Sequence, residues 1–309
     1  MLTPAQIATF HAQGFLHMPG LIHGPELELL RAESARVVEQ GVRTDGDHHL
    51  YHTLADGREV YWRSEQMFRR HPCFRAVAVH PQLLENIAQC LGERFYPWND
   101  SLVVKTPGGD AVAWHQDPPY GDPARTTTYA TPNFTTDIYL DDSDPENGCV
   151  YAIPGHHLVG NVRLDDKSAE ELFTRCGALP VRMRPGDVLL HALSTPHGSH
   201  PNRSQRSRRT YYIHYLNEAV YQDCYATWGR PGWTPQQHAL IERMAADRQA
   251  LGFSPAWSGA VGLQADGLAL TDASVARTPH AHWQTLAAAI PPELARARKA
   301  LAPSRAAVA

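Results

Sequence analysis

No stretch of this sequence approaches the roughly 18 to 20 uninterrupted apolar residues that a spanning helix needs. The opening MLTPAQIATF also lacks the basic flank and apolar run of a secretory signal. The chain is therefore expected to be soluble and cytoplasmic. Basic excess is missing too: 28 Lys and Arg stand against 32 Asp and Glu, for a formal net charge of −4. Nothing in that balance points to nucleic acid or an anionic membrane, and a small molecule is the expected partner. Cysteine is scarce and scattered. Cys73, Cys90, Cys149, Cys176 and Cys224 are odd in number and include no C-x-x-C pair, which argues against a disulfide framework or a zinc ribbon and for reduced thiols. Internal repeats are absent as well. What is plentiful is histidine, at 18 residues, and the information lies in how they are spaced.

The chain divides by texture into three parts of one expected domain spanning residues 1–309. Residues 1–100 read as helix-rich. Thr3-Pro4 looks like a cap followed by Pro at the first helical position, with Gly14 as a stop and an extended Phe15 to Met18 beyond it. Glu26 to Val42 and Pro81 to Leu91 carry apolar residues at helical spacing. From about Ser101 to residue 216 the texture changes to short apolar runs, SLVVKT, TTDIYLDD, CVYAIPG, DVLLHAL and TYYIHYL, broken by turns such as Glu146-Asn147-Gly148 and Pro185-Gly186-Asp187. That spacing predicts a sandwich or jelly roll rather than a parallel sheet with crossover helices. Residues 217–309 form a C-terminal extension, helical over Thr234 to Leu251 and ending in an Ala, Pro and Arg-rich tail.

Side chains at i and i+2 of an extended segment point to the same side, so His115-Gln116-Asp117 can offer an imidazole and a carboxylate to one metal ion while Gln116 faces away. An H-x-D triplet alone is a weak signal in a His-rich chain. A third ligand from a distant strand, for which His197 is the candidate, completes a two-histidine, one-carboxylate set that leaves three iron positions for a bidentate keto acid and dioxygen. Downstream of His197 lie Ser199 and, eleven residues on, Arg208. A dicarboxylate that chelates iron through its keto-acid end needs a cation for its far carboxylate, and a planar guanidinium suits that task. Ser199 can add a hydroxyl donor. Arg209 competes with Arg208, because neighbouring strand residues face opposite sides.

At this point the residues resemble a known family. WHQD at 114–117, ENGCVYAIPGHHLVG at 146–160, PGDVLLH at 185–191 and HGSHPNRSQRSRR at 197–209 are similar in order and spacing to the phytanoyl-CoA dioxygenase family. Weaker likeness in LTPAQIATFHAQGFLHMPGLI and HPQLLENIAQCLG extends the resemblance over roughly residues 1 to 216. It implies a mainly β fold with flanking helices around a double-stranded β-helix of jelly-roll, cupin-like form. It also implies Fe(II) on His115, Asp117 and His197, with Arg208 and Ser199 holding 2-oxoglutarate and O2 as the other cosubstrate. His156 departs from the pattern, since the family more often has Ser after this Pro-Gly. Related iron halogenases replace the carboxylate ligand with a small residue to admit chloride; Asp117 keeps it, so the expected reaction is hydroxylation of a small molecule with release of succinate and CO2.

Several residues carry weaker expectations. Trp114 and Tyr120 flank the proposed metal strand and are candidates for substrate contact or for core. Lys105 either reaches the pocket and meets an anionic substrate or snorkels to solvent, with solvent the expectation. Trp62, together with Tyr61, Arg63 and Met67, lies between the helix-rich start and the β core, where the family places variable substrate-facing loops. His191, His200 and His214 are expected to be structural. Two alternatives stand beside hydroxylation: desaturation, epoxidation or ring closure by the same cofactor chemistry, and a cupin-like metal-binding protein or metal hydrolase that uses the same ligands for zinc.

Overall fold

The computed structural model describes residues 1–43, 49–54, 56–91, 95–117, 134–158, 164, 168–217, 235–255, 261–264 and 267–270. Its first helix, α1 (Pro4–Gln13), begins as the sequence directs. The Thr3 hydroxyl accepts from the Gln6 N–H, the Gln6 side chain returns a bond to the Thr3 N–H, and Gly14 closes the helix in the left-handed region at φ 85°. Then come β1 (Phe15–Met18), the long helix α2 (Gly24–Arg43), the strands β2 (His49–Thr53) and β3 (Glu59–Glu65), and three helices, α3 (Met67–Arg70), α4 (Pro72–Ala78) and α5 (Pro81–Leu91).

The remaining strands are β4 (Phe95–Lys105), β5 (Val112–His115), β6 (Phe134–Tyr139), β7 (Val150–Ala152), β8 (Leu179–Pro180), β9 (Val188–Ala192), β10 (His197–Ser199) and β11 (Arg208–Asn217). A short helix, α6 (Ala169–Thr174), precedes β8, and α7 (Pro235–Ala250) follows β11. Beyond α7 lies a two-stranded hairpin of β12 (Val261–Gln264) and β13 (Gly267–Leu270). Seven strands pair antiparallel in the order β1-β9-β6-β11-β4-β3-β2, and four more in the order β5-β10-β7-β8. The two sheets make the expected sandwich, a double-stranded β-helix with helices on one side.

Texture alone places the β region too late. Strand β1 falls where Phe15 to Met18 reads as extended, but β2 and β3 come from the part read as helix-rich, and β4 starts at Phe95 rather than near Ser101. The reason is local. Strands β2 and β3 share a bulge, with Leu50 opposite Arg63 but Tyr51 opposite Tyr61, so Trp62 is the extra residue and the strict alternation that marks a strand is broken.

Alternation is clean in β11, and it sorts the molecule. Tyr211, Ile213 and Tyr215 are fully buried against the helices, packing with Leu102 of β4, Ile138 of β6, Val188 and Leu190 of β9, and Phe74 and Val77 of α4. Arg208, Thr210 and His214 take the opposite face, toward the second sheet, in register with Lys105, Val103 and Asn99 of β4. A smaller apolar cluster of Tyr139, Val150, Ala152, Val181, Met183 and Leu189 fills the interior between the sheets. Burying a large apolar side chain contributes about 1.5–3 kcal/mol, so the outer face of the large sheet carries the stability and leaves its inner face available for polar groups. No described helix is long and apolar enough to cross a membrane.

Candidate metal centre

His115 ends β5 and His197 begins β10, and the two strands pair with these residues directly opposite each other. Their rings lie 4.2 Å apart between centroids. Asp117, two residues beyond His115, turns its carboxylate to both: Oδ1 is 3.6 Å from His115 Nε2 and 3.9 Å from His197 Nε2. Among the described residues these three form the group of His, Cys, Asp or Glu side chains able to hold a metal, with their ligand atoms within 4.8 Å of one another. Gln116 points elsewhere, donating to the Ser194 carbonyl at 2.6 Å.

Each ligand is oriented from behind. His115 Nδ1 lies 2.8 Å from the Ala113 carbonyl and His197 Nδ1 lies 2.9 Å from the Thr195 carbonyl. A carbonyl only accepts, so both Nδ1 atoms carry the proton and both Nε2 lone pairs face the centre, as metal-ligating histidines require. Thr135 of β6 donates its hydroxyl to Asp117 Oδ2 at 3.1 Å. The electrostatics divide the two histidines: burial opposes charge on His115, but the bond and charge of Asp117 outweigh it and raise that ring. Burial opposes charge on Asp117, yet the facing His197 and His115 outweigh it and hold the carboxyl well below the usual range. Burial, then the neighbouring His115, pushes His197 down to about 3, which keeps it a neutral donor.

Behind the triad lies a polar interior. Arg208 is 2 % exposed, yet its Nε and Nη1 have no hydrogen-bond partner among the described residues. A buried guanidinium with unused donors costs stability unless an acceptor arrives. Arg209, the competitor, faces the opposite side, where it grips Asp141 through Nε and Nη2 at 2.8 and 2.7 Å and donates to the Arg31 carbonyl of α2. Ser199, at the end of β10, is also buried and receives a bond from Lys105 Nζ at 2.6 Å.

The weaker candidates divide. Lys105 does not snorkel: it is 5 % exposed, held by Ser199 and by the His200 carbonyl at 2.6 Å, because β4 carries it onto the inner face opposite Arg208. Trp114 is turned from the triad by the same alternation that turns Gln116 aside. Its ring packs against Phe173 at 4.9 Å, close over the Gly198 backbone on the other side of the smaller sheet. Trp62 lines a cavity shared with His52, Val103, Lys105, Asp110 and Val112. Tyr120 lies outside the described residues. His191 proves to be half of a buried pair: its Nε2 is 3.3 Å from Asp137 Oδ1, and although burial opposes its charge, Asp137 raises it to about 9. The motif reading passed over Asp137. The signal was an acidic residue at an inward position of the strand TTDIYL.

Two imidazoles and one carboxylate inside an antiparallel double-stranded β-helix fit the Fe(II) site of a 2-oxoglutarate-dependent dioxygenase, and the family match places the chain in that class. The chain belongs to the phytanoyl-CoA dioxygenase family, whose model matches residues 10–210. It is 28% identical over 233 residues to a methylphosphonate hydroxylase of Gimesia maris, covering 72% of this chain and 86% of that protein. Among solved structures it is similar to AviO1 of Streptomyces viridochromogenes, at 26% identity and TM-score 0.59 over 71% of this chain and 98% of that one. It is also similar to EvdMO1, at 27% identity and TM-score 0.58 over 69% of this chain, and spans about half, 49%, of that longer chain.

Proposed function

We propose that this dioxygenase hydroxylates an unactivated C–H bond of a small, free molecule, with His115, Asp117 and His197 holding Fe(II) and with Arg208 and Ser199 holding the far carboxylate of 2-oxoglutarate. One observation carries the assignment of the cosubstrate residues: Arg208 is buried on the face of the large sheet that looks toward the sheet of His115 and His197, with two guanidinium donors unspent. A zinc hydrolase on the same ligands has no use for such a group. When bound, iron and 2-oxoglutarate supply an oxidant made from O2, with the keto acid leaving as succinate and CO2. The protein's part is positional. The Ala113 and Thr195 carbonyls fix the tautomers of His115 and His197, Thr135 fixes Asp117, and the carboxylate occupies the position that a halide would need.

The relative that acts on methylphosphonate supports a small substrate rather than a nucleic acid or a membrane. Cys73, Cys90 and Cys149 are buried thiols outside any disulfide, which supports a reducing, cytoplasmic setting. We read residues 1–309 as a single oxygenase domain. Two measurements test the proposal. Anaerobic addition of Fe(II) and then 2-oxoglutarate to the full chain is expected to give a weak visible charge-transfer band; folded protein without it overturns the cofactor site. A succinate-release screen over small metabolites, followed by mass analysis, is expected to find a product 16 Da heavier, the mass of one oxygen atom. A product 2 Da lighter would replace hydroxylation with desaturation or ring closure.

A further inference from the structure

Lys105 is a buried cation on the inner face of the large sheet that neither the metal triad nor the Arg208 anchor employs. Its position is built rather than incidental. Asn202, in the loop after β10, donates to the Lys105 carbonyl at 3.0 Å, while its own backbone exchanges hydrogen bonds with Gly108 and Gly109, so the end of β4 is clamped to the segment that follows His197. The aliphatic stem then runs past Gly148, which sits in the left-handed region at φ 72°. A Cβ at that position would stand 2.8 Å from Lys105 Cδ and 3.1 Å from Nζ, so glycine here clears the path of the side chain as well as making the turn. Nζ ends between the Ser199 hydroxyl and the His200 carbonyl, both at 2.6 Å.

Neither contact is a carboxylate. Arg208, the cross-strand partner of Lys105 on the same face, carries a like charge. Burial, and next the Arg208 charge, depress the Lys105 ammonium to about 7, with only the Cys149 thiol and Asp110 acting in its favour. Two buried cations set side by side with one anion's worth of donors unspent form a cradle awaiting a negative group.

We propose that Lys105 is a positioning residue of the cosubstrate pocket, which sets the direction of the Ser199 hydroxyl and shares with Arg208 the charge of the distal carboxylate. The direction follows from valence. As an ammonium Lys105 is a donor only, so its bond to Ser199 Oγ occupies an acceptor lone pair, and the single hydroxyl proton of Ser199 is left to donate to something else. That proton is then available to the distal carboxylate that Arg208 binds. The lysine thus keeps Ser199 ready as a donor before the cosubstrate arrives, in place of a rotor that must be ordered on binding.

This inference rests on the reading that Arg208 and Ser199 hold 2-oxoglutarate, and its test separates the two. The full chain, loaded with Fe(II) under argon, is titrated with 2-oxoglutarate and with pyruvate, which has the same keto-acid end but no distal carboxylate, and Kd is read from the charge-transfer band. In Lys105→Met the Kd for 2-oxoglutarate is expected to rise by at least about tenfold, the scale of a lost hydrogen bond to a charged group, while the Kd for pyruvate stays within about twofold. Lys105→Arg is expected to recover most of the loss, and in turnover the variant's KM for 2-oxoglutarate should change more than its kcat. Equal weakening of both ligands would reveal a general disturbance of the site and overturn the proposal, as would unchanged 2-oxoglutarate binding in Lys105→Met. If the unmodified protein binds pyruvate as tightly as 2-oxoglutarate, the Arg208 reading itself fails, and that result does not depend on Lys105.

Discussion

At the scale of single residues, the site separates into groups that hold metal and groups that hold its partner, and substitution should separate them too. His197→Ala removes one of two oriented Nε2 donors. Fe(II) retained after desalting is expected to fall to background, and normal iron content in that variant would place the third ligand elsewhere. Arg208→Ala is expected to retain iron while its 2-oxoglutarate requirement rises by at least about tenfold, in line with the loss of a charge-assisted bond. An unchanged requirement would move the anchor role away from Arg208. The contrast between Arg208 and Arg209 also marks where the sequence stops speaking. Two adjacent arginines differ only in strand phase, and the phase is set by Tyr211, Ile213 and Tyr215 seeking the helices, a fact of the fold rather than of the motif. His115 and Asp117 are readable as candidates from their spacing alone, though that triplet is a weak signal, and His197 is reached only through the order of the family's motifs. Lys105 is not readable in this way: a lysine ending a strand-like run reads as solvated until a second sheet is known to cover it.

At the scale of elements, β4 links the site to the helical layer through its two faces. While Lys105 looks inward, Asp100 on the same strand looks outward and is 1 % exposed, accepting from the Phe68 N–H of α3 at 2.8 Å and from the Tyr211 hydroxyl at 2.7 Å. Burial pushes its carboxyl up to about 7, against the pull of those two donors. A carboxyl raised in the fold favours the native state while protonated, and that advantage is lost as pH climbs from the unfolded value near 4 through 7. The Asp100→Asn variant removes this dependence. Its Tm relative to the unaltered chain is therefore expected to rise steadily between pH 4 and 8, with each pKa unit worth about 1.4 kcal/mol at full burial; a flat difference would mean the carboxylate carries no such penalty. Helices were the legible elements, since Thr3, Pro4 and Gly14 mark α1 by chemistry that acts within a few residues. The bulged pair of β2 and β3 was not, because a bulge is an interruption of the one pattern by which a strand announces itself.

At the scale of the whole molecule, the C-terminal extension joins the fold through α7, which the family resemblance did not reach. Ile241 and Met244 enter the main core, and Asp247 pairs with the buried Arg75 of α4. Arg248, with no exposed surface, joins both carboxylate oxygens of Glu26 on α2, the Ala76 carbonyl of α4 and Ser254. Arg248→Ala strands the Glu26 carboxylate beside the core, so a loss of roughly 3–5 kcal/mol in urea unfolding is expected, and a loss below about 1 kcal/mol would mean that water replaces the guanidinium. The periodicity of Thr234 to Leu251 gave the helix, but nothing in it named the partners, which are some two hundred residues away. The same distance governs β1. Phe15 to Met18 sits at the edge of the large sheet, and its neighbour is Val188 to His191 of β9. On a ribosome adding roughly 5–20 residues per second, the first strand is made many seconds before the strand it pairs with exists. Until then its backbone has water as its partner, and the newborn chain must keep that edge from other chains for that long.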